Sequence, residues 1–225
     1  MIINYPETYS FEKTTGFIVI EGVNGAGKTT LQNKIAQYLT GKNKEFVLTR
    51  EPGSSAVGKI LRPLILDPPE KLTSRTELFL FAADRSQHVE RVIRPALADK
   101  KIVVSDRYYY STEAFQGYGR GLDKELVATI NSIAINSMIP DLVILLDLDP
   151  TEGILRNKSG EKSLERDSFE DEQTAFHQRL RDGFLRLAES LPEPFLLINA
   201  AQSPENIFNE LLPVLENFIT KFENQ

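Results

Sequence analysis

Cysteine is absent from the 225 residues. Disulfides, thiolate nucleophiles and cysteine-built zinc sites are therefore excluded. Only two histidines occur, His88 and His177, too few for most histidine-built metal sites. No apolar run approaches the roughly 18–20 residues needed to span a bilayer, so no membrane association is expected. The opening residues MIINYPETYSFEKTTG offer neither a basic n-region nor an apolar h-region, and no secretory signal is expected. The expected compartment is the cytoplasm. Positive charge is also in deficit, with a net charge of −6. That balance argues against non-specific binding to nucleic acid. Arginines and lysines that converge on one site in such a chain point instead to a small anionic substrate.

What is present fits one compact α/β domain with a substantial core. Five short runs, Phe17–Ile20, Phe46–Thr49, Ile102–Ser105, Leu142–Leu146 and Phe195–Ile198, are nearly continuous in Val, Ile, Leu and Phe. Such runs suit strands covered on both faces, as in a parallel sheet. Helix-period segments lie between them, at Lys28–Thr40, Arg75–Leu97, Lys124–Ser137 and Phe169–Leu191. A last helix starts at Ser203 as N-cap and Pro204 as first helical residue, with Pro213 predicted to kink it. The alternation predicts a five-stranded parallel sheet with helices on both faces, a three-layer α/β/α fold of the P-loop NTP hydrolase type. Residues 1–15 read as an N-terminal arm and 16–225 as a single domain. The polar stretch Asn157–Asp167 reads as a loop, and a lid is expected at about 156–168.

Ligands of such sheets sit at the carboxyl ends of the strands. Here those ends carry Glu21–Gly22, Arg50–Glu51, Asp106–Arg107, Asp147 and Asn199. Gly22-Val23-Asn24-Gly25-Ala26-Gly27-Lys28-Thr29 matches G-x-x-x-x-G-K-[ST] between a strand and a helix, the context that this motif requires. Its backbone N–H groups would cradle phosphates, helped by the positive end of the following helix. ATP is expected on Gly22–Thr30, with Lys28 on the β- and γ-phosphates and the Thr29 hydroxyl on Mg²⁺. The guanine-specific signature N-K-x-D is missing, because neither Asn43-Lys44 nor Asn157-Lys158 has an aspartate at the right place.

Three more segments follow in order: Thr49-Arg-Glu-Pro-Gly53, Leu80-Phe-Ala-Ala-Asp-Arg85 and Asp106-Arg-Tyr-Tyr-Tyr-Ser-Thr-Glu-Ala-Phe-Gln-Gly117. With the phosphate loop they make the chain resemble the thymidylate kinase family from about Phe17 to Phe218. The resemblance implies transfer of the γ-phosphoryl of ATP to dTMP, with Mg²⁺, in a homodimer. On the residues themselves, Arg50 and Arg107 can hold an acceptor phosphate by charge-assisted, bidentate hydrogen bonds. Asp106 ends a strand beside the loop, as a Mg²⁺-water ligand or an acceptor-orienting carboxylate would. Phe81 and Arg85 are four apart on one helix and share a face. In the family the phenylalanine stacks on thymine and the arginine bonds a pyrimidine carbonyl. Ser111, Phe115 and Gln116 carry over as lining of the nucleoside pocket, with the ring at Phe115 crowding the sugar's 2′ carbon. The family often has an acid where this chain has Asn24, and some members have an arginine where it has Gly25. Members without that arginine take the cation from the lid, where Arg156, Lys158, Lys162 and Arg166 are the choices here. Serine stands at 168, where the family's lid often has an arginine. Alternative readings are a kinase for another nucleoside or nucleoside monophosphate, and a nucleotide-binding module without catalysis.

Overall fold

A computed structural model describes residues 2–3, 14–159, 168–170 and 172–224. The elements run in chain order as strand β1 (Ile2–Ile3), β2 (Phe17–Gly22), helix α1 (Lys28–Gly41), β3 (Phe46–Arg50), α2 (Ala56–Leu66) and α3 (Ser74–His88). A π-helical turn (Val89–Ile93), α4 (Arg94–Ala98), β4 (Ile102–Asp106), α5 (Tyr109–Thr112), a second π-helical stretch (Glu113–Gly119) and α6 (Lys124–Ile135) follow. Then come β5 (Leu142–Asp147), α7 (Pro150–Ser159), α8 (Thr174–Ser190), β6 (Phe195–Asn199) and α9 (Pro204–Glu223).

The strands form one sheet in the order β1-β6-β5-β2-β4-β3. The five longer strands are all parallel. Only β1 is antiparallel, pairing Ile2 with Leu196 and Ile3 with Phe195 at the edge of β6. Successive residues of a strand point to opposite faces. Every residue of β2 is nevertheless buried, as are the first five of β5, so helices cover both faces. The core is continuous across these layers, from Ile35 and Leu39 of α1 to Leu211 and Phe218 of α9.

The chain turns from β2 to β3 and β4 on one side, and later to β5 and β6 on the other. The order therefore reverses at β2, and a crevice opens where its carboxyl end leads into the phosphate loop. Each of the five predicted strands continues one or two residues further, onto Gly22, Arg50, Asp106, Asp147 and Asn199. The polar ends thus belong to the ladder, where register holds them: Arg50 lies opposite Asp106, and Asp147 opposite Asn199.

The predicted helix Arg75–Leu97 is interrupted by a π-helical turn. Pro95 lacks the N–H that would bond the Arg91 carbonyl, which frees the ladder to widen there. Helix α9 starts as expected, with the Ser203 hydroxyl accepting from the Asn206 N–H, and it runs on through Pro213. The predicted helix Phe169–Leu191 begins later, at Thr174. Helices α2 and α7 are additions to the sequence reading, and α7 occupies the start of the stretch read as a loop.

Candidate active site

Helix α1 has Gly27 at its N-cap in the left-handed region (φ 94°), with no side chain capping it and no acid in its first turn. Four other helices are capped by Ser55, Thr73, Asp123 and Ser203. The first-turn N–H groups of α1 are therefore oriented for an external anion, and the helix dipole favours it. Val23 and Ala26 turn their side chains into the core and contribute only backbone to the loop. Gly25 touches α7: a Cβ there would lie 2.1 Å from the Gly153 carbonyl oxygen. Lys28 is 7% exposed and its Nζ donates to the carbonyls of Gly22 (3.0 Å) and Val23 (2.9 Å). The ammonium is thus held inside the loop that it must serve. Gly27 and Thr30 lie exposed at its rim.

The Thr29 hydroxyl donates to Asp106 Oδ2 at 3.1 Å. Two hard oxygen donors, one of them a carboxylate, meet beside the loop. Mg²⁺ is usually held by one or two carboxylates together with substrate phosphates and water, so these residues fit it.

Arg107 follows β4 with φ 74°, a left-handed conformation that costs a residue with a Cβ about 1–2 kcal/mol. Strain of this kind persists where surrounding bonds over-determine it. Here they do. Nη2 donates to Asn24 Oδ1 at 2.5 Å, and Nη1 donates to the Gly22 carbonyl at 3.1 Å and to Ser111 Oγ at 2.9 Å. The guanidinium also lies over the Phe115 ring at 5.2 Å. One strand-end arginine therefore does face the phosphate loop, held there by Asn24 and Gly22 of the loop and by Ser111. The other, Arg50, is exposed at the adjacent strand end. Ser54 Oγ grips its backbone, accepting from its N–H at 2.8 Å and donating to its carbonyl at 2.7 Å.

Beneath Arg107 lies Glu21, which the sequence reading noted only as a strand end. It is fully buried and accepts from the N–H groups of Tyr108 (2.8 Å) and Ser111 (3.1 Å) and from Ser111 Oγ (2.7 Å). Burial raises its pKa, while Arg107 and these bonds oppose the rise. A lone carboxylate inside the apolar run FIVIEG was the available signal.

A cavity opens beside Arg107, enclosing about 330 Å³ including its open mouth. Asn24, Arg107, Ser111 and Gln116 give it polar lining, and Phe81 and Phe115 aromatic lining. Gln116 is fully buried: its Nε2 donates to Glu77 at 3.2 Å, while Oε1 has no partner among the described residues. An acceptor without a donor inside a cavity suits a ligand N–H. Phe169 also lines this cavity, with its ring 5.2 Å from Phe115 and 6.1 Å from Phe81. Sequence reading counted it only as the start of a helix.

Arg85 is placed differently from the expectation of a pocket residue. It is 1% exposed and is not among the residues lining the cavity. Nε donates to Glu51 (2.8 Å), Nη1 to Thr112 (3.0 Å) and Asn131 (2.9 Å), and Nη2 to the Tyr108 carbonyl (3.2 Å). A guanidinium has five N–H donors, so a direct role toward a base rests on the remaining one. Thr112, which does line the cavity, stands between. Glu51 also bonds His88 at 2.8 Å, and His88 bonds Thr49 at 2.6 Å. These contacts tie the loop after β3 to α3. On the lid side, Arg156 donates to the Ala200 carbonyl at 2.9 Å and pairs with Glu152. Lys162, Arg166 and the side chain of Lys158 lie outside the described residues.

Asp84 completes this network. Its Oδ1 accepts from the Gly53 N–H at 3.1 Å, and Oδ2 has no partner among the described residues. Burial, reinforced by the Glu51 carboxylate, pushes its carboxyl up from 3.8 to about 6. Between those values the folded chain keeps a proton that the unfolded chain has released, so stability falls as pH rises through that window. Asp84→Asn removes the penalty. Its stability relative to the parent is expected to improve by about 1–3 kcal/mol on going from about pH 4 to pH 7.5. Urea unfolding at both pH values checks this, and a pH-independent difference rules it out.

The comparisons agree with this geometry. Residues 20–211 match the family described as thymidylate kinase. The thymidylate kinase of Desulfovibrio desulfuricans is 44% identical over 210 residues, covering 91% of this chain and 97% of that protein. That of Carboxydothermus hydrogenoformans is 46% identical over 200 residues, covering 89% and 96%. The crystal structure of thymidylate kinase from Ehrlichia chaffeensis superposes with a TM-score of 0.73 at 33% identity, covering 90% of this chain and 99% of that one. With the family model spanning most of its length and these relatives matched over nine-tenths of it, the chain belongs to the thymidylate kinase family.

Proposed function

We propose that this chain binds ATP on Gly22–Thr30 and dTMP in the cavity beside Arg107, and moves the γ-phosphoryl from one to the other. The observation that carries the reading is the position of the Arg107 guanidinium. It touches the phosphate loop through Asn24 and Gly22, and the cavity through Ser111. A monophosphate held by Arg107 then lies next to the γ-phosphate of a nucleotide on the loop. An oxygen of the dTMP phosphate attacks the γ-phosphorus in line, the bond to the β-phosphate oxygen breaks, and ADP leaves. Positioning and charge neutralisation do most of this work, and no covalent enzyme intermediate is needed. Lys28 bears on the transferring group, Arg107 and Arg50 on the acceptor phosphate. Phe81 supplies an aromatic face for the base, and Gln116 Oε1 an acceptor for its ring N–H. Phe115 crowds the sugar, and Arg85 acts from behind Thr112. Mg²⁺, held by Thr29 and Asp106, would offset charge on the β- and γ-phosphates.

Residues 16–225 are read as one catalytic domain with residues 1–15 as an arm, and Arg156 or Arg166 as the lid cation. A cytoplasmic homodimer is part of the same reading. Among the described residues no helix is long and apolar enough to cross a membrane. Ile60 of α2, Phe79 of α3 and Ile133 of α6 are 68%, 56% and 72% exposed on helices that pack side by side, an apolar face suited to a second copy.

Initial rates with dTMP, dUMP, CMP, AMP and thymidine test the assignment. Turnover of dTMP should be fastest, with thymidine inert because it brings no phosphate for Arg107. Comparable rates on thymidine, or a preference for CMP or AMP, would overturn it.

A further inference from the structure

Arg120 lies just beyond the second π-helical stretch, outside the phosphate loop and outside the cavity lining. Its fork meets Glu77 of α3 squarely, with Nε to Oε2 and Nη2 to Oε1 both at 3.0 Å. Nη1 donates to Glu172, ahead of α8. Its Cζ lies 5.3 Å from the centroid of the Phe169 ring and 4.9 Å from that of the Phe176 ring. The side chain is 14% exposed, so these contacts are shielded from water. Two of these partners lead back to the cavity. Glu77 Oε2 also accepts from Gln116, and Phe169 closes the wall against Phe81 and Phe115. The Ser168 N–H donates to the carbonyl of Leu66, another lining residue.

We infer that Arg120 is a positioning residue for the acceptor. It pins Phe169 as the far wall of the cavity and fixes Gln116 through Glu77, so acceptor affinity depends on a side chain that does not touch the acceptor. The chemistry suits arginine: a bidentate carboxylate pair and two aromatic faces need a planar, delocalised cation. The inference rests on reading the cavity as the acceptor site, and its test separates the two.

The chain has no tryptophan. Phe169→Trp therefore introduces a single indole at the wall, whose emission reports burial without reference to activity. In that background, Arg120→Met should red-shift the emission and raise iodide quenching severalfold. Glu172→Ala, which removes one partner and leaves the Glu77 pair, should do the same to a smaller degree. In the parent chain Arg120→Met should raise KM for dTMP about tenfold with KM for ATP unchanged, and Arg120→Lys should fall between. Unchanged emission and quenching in both variants overturns the inference, even where thermal stability drops. So does a spectral shift with both KM values unchanged. If the spectral shifts occur but dTMP neither perturbs the indole emission nor turns over in the parent, the acceptor reading fails while the pinning stands.

Discussion

Lys28→Ala is expected to lower kcat by about 10³-fold or more while far-ultraviolet circular dichroism stays native. A thousandfold loss is about 4 kcal/mol of transition-state stabilisation, the scale on which a preorganised charge acts in a water-poor site. Lys28 meets that description: it is 7% exposed and already anchored by two carbonyls of the loop. Its charge needs no large rearrangement when phosphate arrives. The fold should survive because those contacts are local to the loop, and the Gly22 carbonyl keeps its bond from Arg107. Coupled-assay rates with saturating ATP and dTMP provide the check. A kcat within tenfold of the parent would remove the lysine from the transfer step.

Arg107→Ala should have the second largest effect, and on a different parameter. Loss of the guanidinium removes the group that Asn24 and Ser111 share and that is proposed to hold the acceptor phosphate, so kcat/KM for dTMP should fall by about 10²–10³-fold. KM for ATP should change far less, because the phosphate loop keeps its own backbone cradle. The backbone at this residue adds a control. At φ 74° glycine is relaxed where alanine is strained by about 1–2 kcal/mol. Arg107→Gly should therefore be more stable than Arg107→Ala and equally impaired. If the two differ in activity as they do in stability, the effect belongs to the backbone and not to the charge.

Much of this site was legible because its signals are local. A phosphate loop is one continuous segment, and the five strands announce themselves by unbroken Val, Ile and Leu. What was missed is non-local or masked by a breaker. Helix α2 follows Gly53-Ser54-Ser55 and carries Pro63, breaker residues that hide it in the sequence, yet Ser55 caps it by accepting from the Gly58 N–H. Arg85 and its partner Glu51 are 34 residues apart, and nothing local marks either as buried. The same holds for Arg120 with Glu172, 52 residues apart. Phe169 looks like any helical aromatic until the fold sets it against Phe81 and Phe115. Asn24 looked like a weakened acid. Its side-chain oxygen instead serves Arg107, a role that needs an acceptor and no charge.

The contact between the phosphate loop and α7 restricts the routes by which this enzyme could change. A side chain at residue 25 would run into the backbone of Gly153, and one at residue 153 would meet the Asn24 carbonyl oxygen at 2.5 Å. Neither position can accept a larger residue unless the two segments separate. Any such change would have to begin by lifting α7 away from a loop whose Gly22 and Asn24 also hold Arg107 in place.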